Sequence, residues 1–158
     1  MSYRPKKRPA LLFGEGGKEV TFFNFLLKTE KFEFLENVWS FETGHASGSS
    51  CETVLAKCIK LKNDEREYEK VLCFIDTDKL THDFPKSYTQ KREELNARAE
   101  QEGIEIIWQE SDHENELSRA TGGKIEKKQH MKRRLEAHKQ MILGSDYVKN
   151  IFNHFHNK

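Results

Sequence analysis

Asp76 and Asp78 stand two positions apart at the end of an apolar run, Val71-Leu72-Cys73-Phe74-Ile75. Side chains two apart on an extended chain point the same way, so a strand over Val71–Ile75 would present both carboxylates together. Two anions in close approach repel. The usual relief is a bound divalent cation, and Mg²⁺ prefers such oxygen ligands. Two other acidic groups stand in comparable places. One is the turn Gly14-Glu15-Gly16-Gly17-Lys18-Glu19, and the other is the segment Gln109-Glu110-Ser111-Asp112-His113-Glu114-Asn115-Glu116-Leu117. Each has an ordinary use when taken alone. Asp-x-Asp opens turns, a glutamate such as Glu15 suits the first turn of a helix, and Glu114 or Glu116 could be plain surface acids. Their shared placement, each just past an apolar run, is what points to metal chemistry.

The elements that must position these groups can be read from the chain. Pro9–Phe13 is a short apolar run and predicts a buried strand. Its glycine-rich exit allows a tight bend and close backbone approach to a ligand. That turn is neither a Walker A loop nor Gly-x-Gly-x-x-Gly, since Glu19 stands where the last glycine would be. A helix over Lys18–Glu30 follows, with Val20, Phe23 and Leu27 as its apolar stripe. Phe22, Phe25 and Leu26 make it apolar around most of its circumference, so it is expected to be covered on two sides. A second strand is expected within Asn37–Phe41, then a flexible loop from Gly44 to Ser50. Ser50 is a candidate N-cap for a helix running to Lys62. The strand Val71–Ile75 comes next, then an irregular stretch Lys79–Pro85. A polar surface helix is expected over Ser87–Glu102, stopped by Gly103, and a fourth strand over Ile104–Trp108. A basic helix, Lys124–Leu143, and a last helix capped by Ser145 close the chain.

This alternation predicts an α/β fold, an open and mostly parallel four-stranded sheet flanked by helices. Functional groups in such sheets gather beyond the carboxyl ends of the strands. Glu15, the Asp76/Asp78 pair and Glu116 all fall there.

Composition narrows the classes. The chain has 158 residues, enough for one domain with a real core. Charged residues make up 34%, yet 11 phenylalanines and regular apolar runs argue against disorder. The formal net charge is +1, so bulk charge does not announce a nucleic-acid binder. Basic residues do concentrate at Arg4, Lys6, Lys7 and Arg8 and along Lys124–Lys139. The latter run contains Lys128, Lys132 and Arg133. Interspersed Glu126 and Glu136 make it an ordinary solvated face, and phosphate-backbone contact is its sharper reading. Cys51, Cys58 and Cys73 are odd in number and form no Cys-x-x-Cys, which disfavours disulfides and zinc. They read as reduced, buried thiols of a cytoplasmic protein. No run is long and apolar enough to span a bilayer and no signal peptide is visible.

The constellation resembles the Toprim domain of topoisomerases, primases and certain nucleases. The carriers are Leu11-Leu12-Phe13-Gly14-Glu15-Gly16 and Phe74-Ile75-Asp76-Thr77-Asp78. Glu15-Gly16-Gly17-Lys18-Glu19 followed by Phe22-Phe23 is more specifically similar to the RloB-like branch, alongside OLD-type nucleases. That branch's third motif, roughly Ser-Asn-Pro-x-Phe-Glu-hydrophobic-Trp, is matched at Ser111, Glu116 and Leu117 and departs elsewhere, so Glu114 is an alternative to Glu116. The resemblance covers 9–120, with 1–8 a basic lead-in and 121–158 a helical extension expected to pack on the same domain.

The resemblance implies Mg²⁺- or Mn²⁺-dependent cleavage of DNA or RNA phosphodiester bonds, in anti-phage defence and beside an ATPase partner. It makes Glu15, Asp76, Asp78 and Glu116 metal ligands and Glu19 a supporting member of the catalytic set. Lys18, Lys79, His113, Lys128, Lys132 and Arg133 become candidates for contact with nucleic acid. Oligomeric state stays open, a homo-oligomer included. Two other readings compete. One is a non-catalytic metal- or nucleotide-binding regulatory subunit of the same fold. The other is a phosphatase of the haloacid-dehalogenase type, disfavoured because its Asp-x-Asp belongs on the first strand.

Overall fold

A computed structural model describes residues 6–48, 50–65, 67–109, 133 and 135–156. Its centre is a sheet of four parallel strands: β1 (Arg8–Gly14), β2 (Trp39–His45), β3 (Lys70–Asp76) and β4 (Glu105–Gln109). Their spatial order is β2-β1-β3-β4, and every pairing is parallel. Around the sheet stand α1 (Gly17–Leu27), α2 (Glu30–Leu35), α3 (Cys51–Glu65), α4 (Thr77–Asp83), α5 (Tyr88–Gln101), α6 (Lys139–Leu143) and α7 (Asp146–His156). The expected open α/β sheet is therefore the observed one.

The strands are apolar on both faces because each face carries its own core. Successive strand residues alternate sides. Ala10, Leu12, Leu72, Phe74 and Ile107 join Phe22, Phe23 and Leu26 of α1 and Val148, Ile151 and Phe155 of α7 in one core. Leu11, Phe13, Val71, Cys73 and Ile75 join Val54, Leu55 and Cys58 of α3, Leu80 of α4 and Leu95 and Ala99 of α5 in the other. Helix α1 lies between the sheet and the C-terminal helix: Phe23 packs on Phe74 with ring centroids 4.8 Å apart, and Phe22 stacks on Tyr147 at 5.7 Å. This is the two-sided cover that its apolar circumference demanded. Trp39 anchors the other end of α7, donating from Nε1 to the Phe155 carbonyl at 3.2 Å. Among the described residues, the C-terminal extension thus shares one core with the sheet.

Several boundaries differ from expectation. Lys79–Pro85, expected to be irregular, is largely helix α4. Helix α2 was not foreseen. Strand β2 runs on through Gly44 and His45, residues expected in a loop. Gly44 fits there because a Cβ would stand 2.8 Å from Leu61 and 3.2 Å from Phe13. Ser145 does cap α7, its Oγ accepting from the Val148 amide at 3.3 Å. Among the described residues no helix is long and apolar enough to cross a membrane.

Candidate metal centre

From β1 the chain steps outward to β2 on one side, and from β3 to β4 on the other. The connections leaving β1 and β3 therefore diverge, which opens a crevice at their carboxyl ends, the usual place for ligands in such sheets. Glu15 follows the last residue of β1, and Asp76 is the last residue of β3. Glu19 comes from the first turn of α1. These three carboxylates converge, each offering an oxygen within 4.8 Å of the others.

Local sequence explains the convergence. Gly14 leaves room for Glu19, because a Cβ at position 14 would stand 2.4 Å from Glu19 Cβ. Glu19 then reaches back, its Oε2 accepting from the Gly16 amide at 3.1 Å. This is the glutamate half of a capping box. The loop after β2 braces the same turn from outside. The Ala46 amide donates to the Gly14 carbonyl at 3.1 Å and the Gly48 amide to the Glu15 carbonyl at 2.8 Å. Ser47 and Gly48 both adopt positive φ to deliver these bonds.

Lys79, from the first turn of α4, forms an ion pair with Glu15 Oε1. Burial alone would make its ammonium easier to deprotonate, but the hydrogen bond and charge of Glu15, with the charge of Asp76, outweigh that and raise its pKa. Glu15 Oε2 is buried and receives no hydrogen bond among the described residues. Cys51 closes the floor, its thiol directed at the Asp76 carbonyl at 3.8 Å. Burial, followed by the charges of Asp83, Glu15 and Asp76, pushes that thiol up to about 12.

The residues present fit a hard divalent cation. All three ligands are carboxylates, the choice of Mg²⁺ and Mn²⁺. Oxygens on opposite sides of a Mg²⁺ ion stand about 4 Å apart, and the three carboxylates here bring oxygens within 4.8 Å of one another.

Asp78 does not join them. The strand ends at Asp76, Thr77 opens α4, and the extended geometry that would have aligned the two aspartates stops between them. Asp78 is exposed on the first helical turn, where a negative charge suits the helix dipole. Lys18 is half-buried on the first turn of α1, and Arg133 is helical and exposed. Glu116, Glu114, His113, Lys128 and Lys132 lie outside the described residues.

Two residues near the cluster carried no mark in the sequence reading. Gln109 is fully buried at the end of β4, in register with Asp76. Its Nε2 donates to the Tyr147 hydroxyl at 2.8 Å. An amide closing a strand beside one that closes on an aspartate was the available signal for Gln109.

Comparison with known proteins adds little. No family model matches the chain, and no curated protein matches it. Among solved structures, a de novo designed Rossmann fold protein is similar at 12% identity and a TM-score of 0.36, over 82% of this chain and 95% of that one.

Proposed function

We propose that the chain is a metal-dependent nuclease of the Toprim type, nearest the RloB-like branch, cleaving phosphodiester bonds of DNA or RNA with Mg²⁺ or Mn²⁺. The observation that carries this reading is the meeting of Glu15, Glu19 and Asp76 within 4.8 Å at the divergence of β1 and β3. A bound cation would supply Lewis-acid stabilisation of charge on a phosphoryl oxygen. Glu15, Glu19 and Asp76 hold and orient that cation. Lys79 keeps the Glu15 carboxylate aimed inward and, with Lys18, sets positive charge where phosphate oxygens would approach. Asp78, on the first turn of α4, and Glu116 belong to the same set by their motifs alone. Work beside an ATPase partner in anti-phage defence rests on the motif resemblance, and a cytoplasmic location on the three reduced cysteines.

The test is cleavage of single- and double-stranded DNA and RNA by the purified chain, alone and with its partner ATPase. Cleavage should require Mg²⁺ or Mn²⁺ and fall at least about a hundredfold in Glu15→Gln and in Asp76→Asn. Cleavage that survives Asp76→Asn would sink the site. A second reading, a metal-binding regulatory subunit without turnover, is favoured by one feature: three carboxylates, one already paired with Lys79, suit a single ion. Calorimetry that finds Mn²⁺ binding in a chain that cleaves nothing would select it.

A further inference from the structure

The loop that braces the Glu15 turn opens on a histidine that the metal centre does not use. His45 is the last residue of β2 and the register partner of Gly14, the residue before Glu15. Partners in register face the same side of a sheet. On β1 that side belongs to α1, since a Cβ at Gly14 would meet Glu19 and Phe23. On β2 it is the side of Phe41, which packs on the core shared with α1. His45 therefore stands at the carboxyl end of its strand, on the face from which Glu19 enters the cluster. Neighbouring strands lie about 4.8 Å apart. His45 is one strand away from Glu15 and two from Asp76, beside the carboxylate group rather than in it. Its ring is exposed but fixed. Nδ1 accepts from the Ser47 amide at 3.1 Å, and Ser47 Oγ lies 3.3 Å from the same nitrogen. An amide N–H can only donate, so the neutral imidazole carries its proton on Nε2. Ser47 delivers that amide from a φ of 62°, a conformation uncommon for a residue with a side chain and one that gathers at ligand clamps. Lys57 of α3 steadies the same loop, donating to the Ala46 carbonyl at 2.9 Å.

We propose that His45 is a substrate-binding residue of the nuclease: its Nε2–H donates to a phosphate oxygen of the nucleic-acid strand, on the β2 side of the phosphate that meets the cation. A strand laid across the carboxyl ends of β3 and β1 reaches β2 next, and every nucleotide brings a further phosphate. Side-chain and backbone N–H groups are the usual partners of such oxygens, and these contacts set the register of the strand without reading its sequence. Ser47 holds the ring so that the donor is aimed before substrate arrives. The assignment rests on the nuclease reading above and gives the loop after β2 a share in the site.

The test uses the full chain and a fluorescently labelled single-stranded oligonucleotide, DNA and RNA in turn, read by anisotropy in Ca²⁺, with Mn²⁺ calorimetry on the same preparations. His45→Ala should weaken oligonucleotide affinity at least about tenfold, the scale of a hydrogen bond to a charged group. His45→Gln should keep most of the affinity, because its terminal amide sets an N–H donor near the place of Nε2. His45→Asn, whose amide reaches only the place of Nδ1, should fall with alanine. Mn²⁺ affinity should match wild type in all three. Oligonucleotide affinity unchanged in His45→Ala overturns the proposal and leaves the nuclease reading standing. A loss in His45→Gln as large as in alanine overturns it too, since the ring would then serve only to hold Ser47. A parallel loss of Mn²⁺ affinity does the same by making the ring part of the metal centre. A wild-type chain that binds the oligonucleotide through His45 and cleaves nothing would overturn the nuclease reading while leaving the phosphate contact established. One that binds Mn²⁺ but neither oligonucleotide overturns both.

Discussion

Gly14 governs where Glu19 can stand. A methyl group there would lie 2.4 Å from Glu19 Cβ, 2.8 Å from its Cγ and 3.4 Å from the Phe23 ring. These distances leave no room without a backbone shift or the ejection of Glu19. The φ angle at Gly14 is not what requires glycine, since positive φ is confined to Ser47, Gly48 and Gly103 among the described residues. The requirement is close approach of the β1 backbone to the first turn of α1. Gly14→Ala should therefore cost about 1–3 kcal/mol, the usual penalty of overpacking, and should also weaken Mn²⁺ binding. Urea denaturation and calorimetry on one preparation would check both. Loss of stability with metal affinity intact would mean that Glu19 is not a ligand. Lys79 acts on the same carboxylates with the opposite sign. It neutralises part of their charge, and it would compete with a cation for Glu15.

At the scale of elements, the interface between α3 and β3 has its own titration signature. Cys51, Cys58 and Cys73 are all buried and unoxidised. A thiol raised to about 12 in the folded chain, against 9.0 as its ordinary value, means that the folded state holds its proton more tightly than the unfolded state. The stability linked to Cys51 is fully present below pH 9 and is lost as pH rises toward 12. Unfolding free energy should decline by about 1 kcal/mol per pH unit in that window from this group alone. A Cys51→Ser variant should show a flatter decline, and native protein at pH 8 should react slowly with a thiol reagent until unfolded. The strands and long helices were legible for a related reason: apolar runs such as Val71–Ile75 must be buried on both faces, and only a covered parallel sheet does that. Helices α2 and α4 were not legible. They have six and seven residues, too few for a period to repeat, and Leu80 is the single buried residue of α4. Missing α4 is what misplaced Asp78, because an unbroken strand would have aligned it with Asp76. Gly44 was misread for a different reason: composition suggested a loop, whereas the close approach of Leu61 and Phe13 to position 44 calls for glycine in a strand.

The whole molecule gives the carboxylates a place that no single element could. Order β2-β1-β3-β4 puts the two central strands side by side. Their exits carry Glu15 and Asp76, with α1 on one face and α4 on the other supplying Glu19 and Lys79. Both cores meet this crevice, so charge gathered there bears on the stability of the entire fold. A dication bound among these three carboxylates would relieve their mutual repulsion. Binding to the folded state alone stabilises by about 2.7 kcal/mol at a hundredfold excess over Kd. Mn²⁺ should therefore raise the melting temperature of the wild-type chain in a concentration-dependent way. Glu15→Gln and Asp76→Asn should gain little on adding Mn²⁺, since each removes a carboxylate of the site. Lys79→Met should do the reverse, melting lower without metal and gaining more from it, because the competing ammonium is gone. Differential scanning calorimetry on the four proteins, with and without Mn²⁺, reads all of these signs together. A rise in Asp76→Asn equal to that of wild type would place the ion elsewhere. A Lys79→Met chain that gains no more than wild type would show that the Glu15 ion pair persists beside the metal rather than yielding to it.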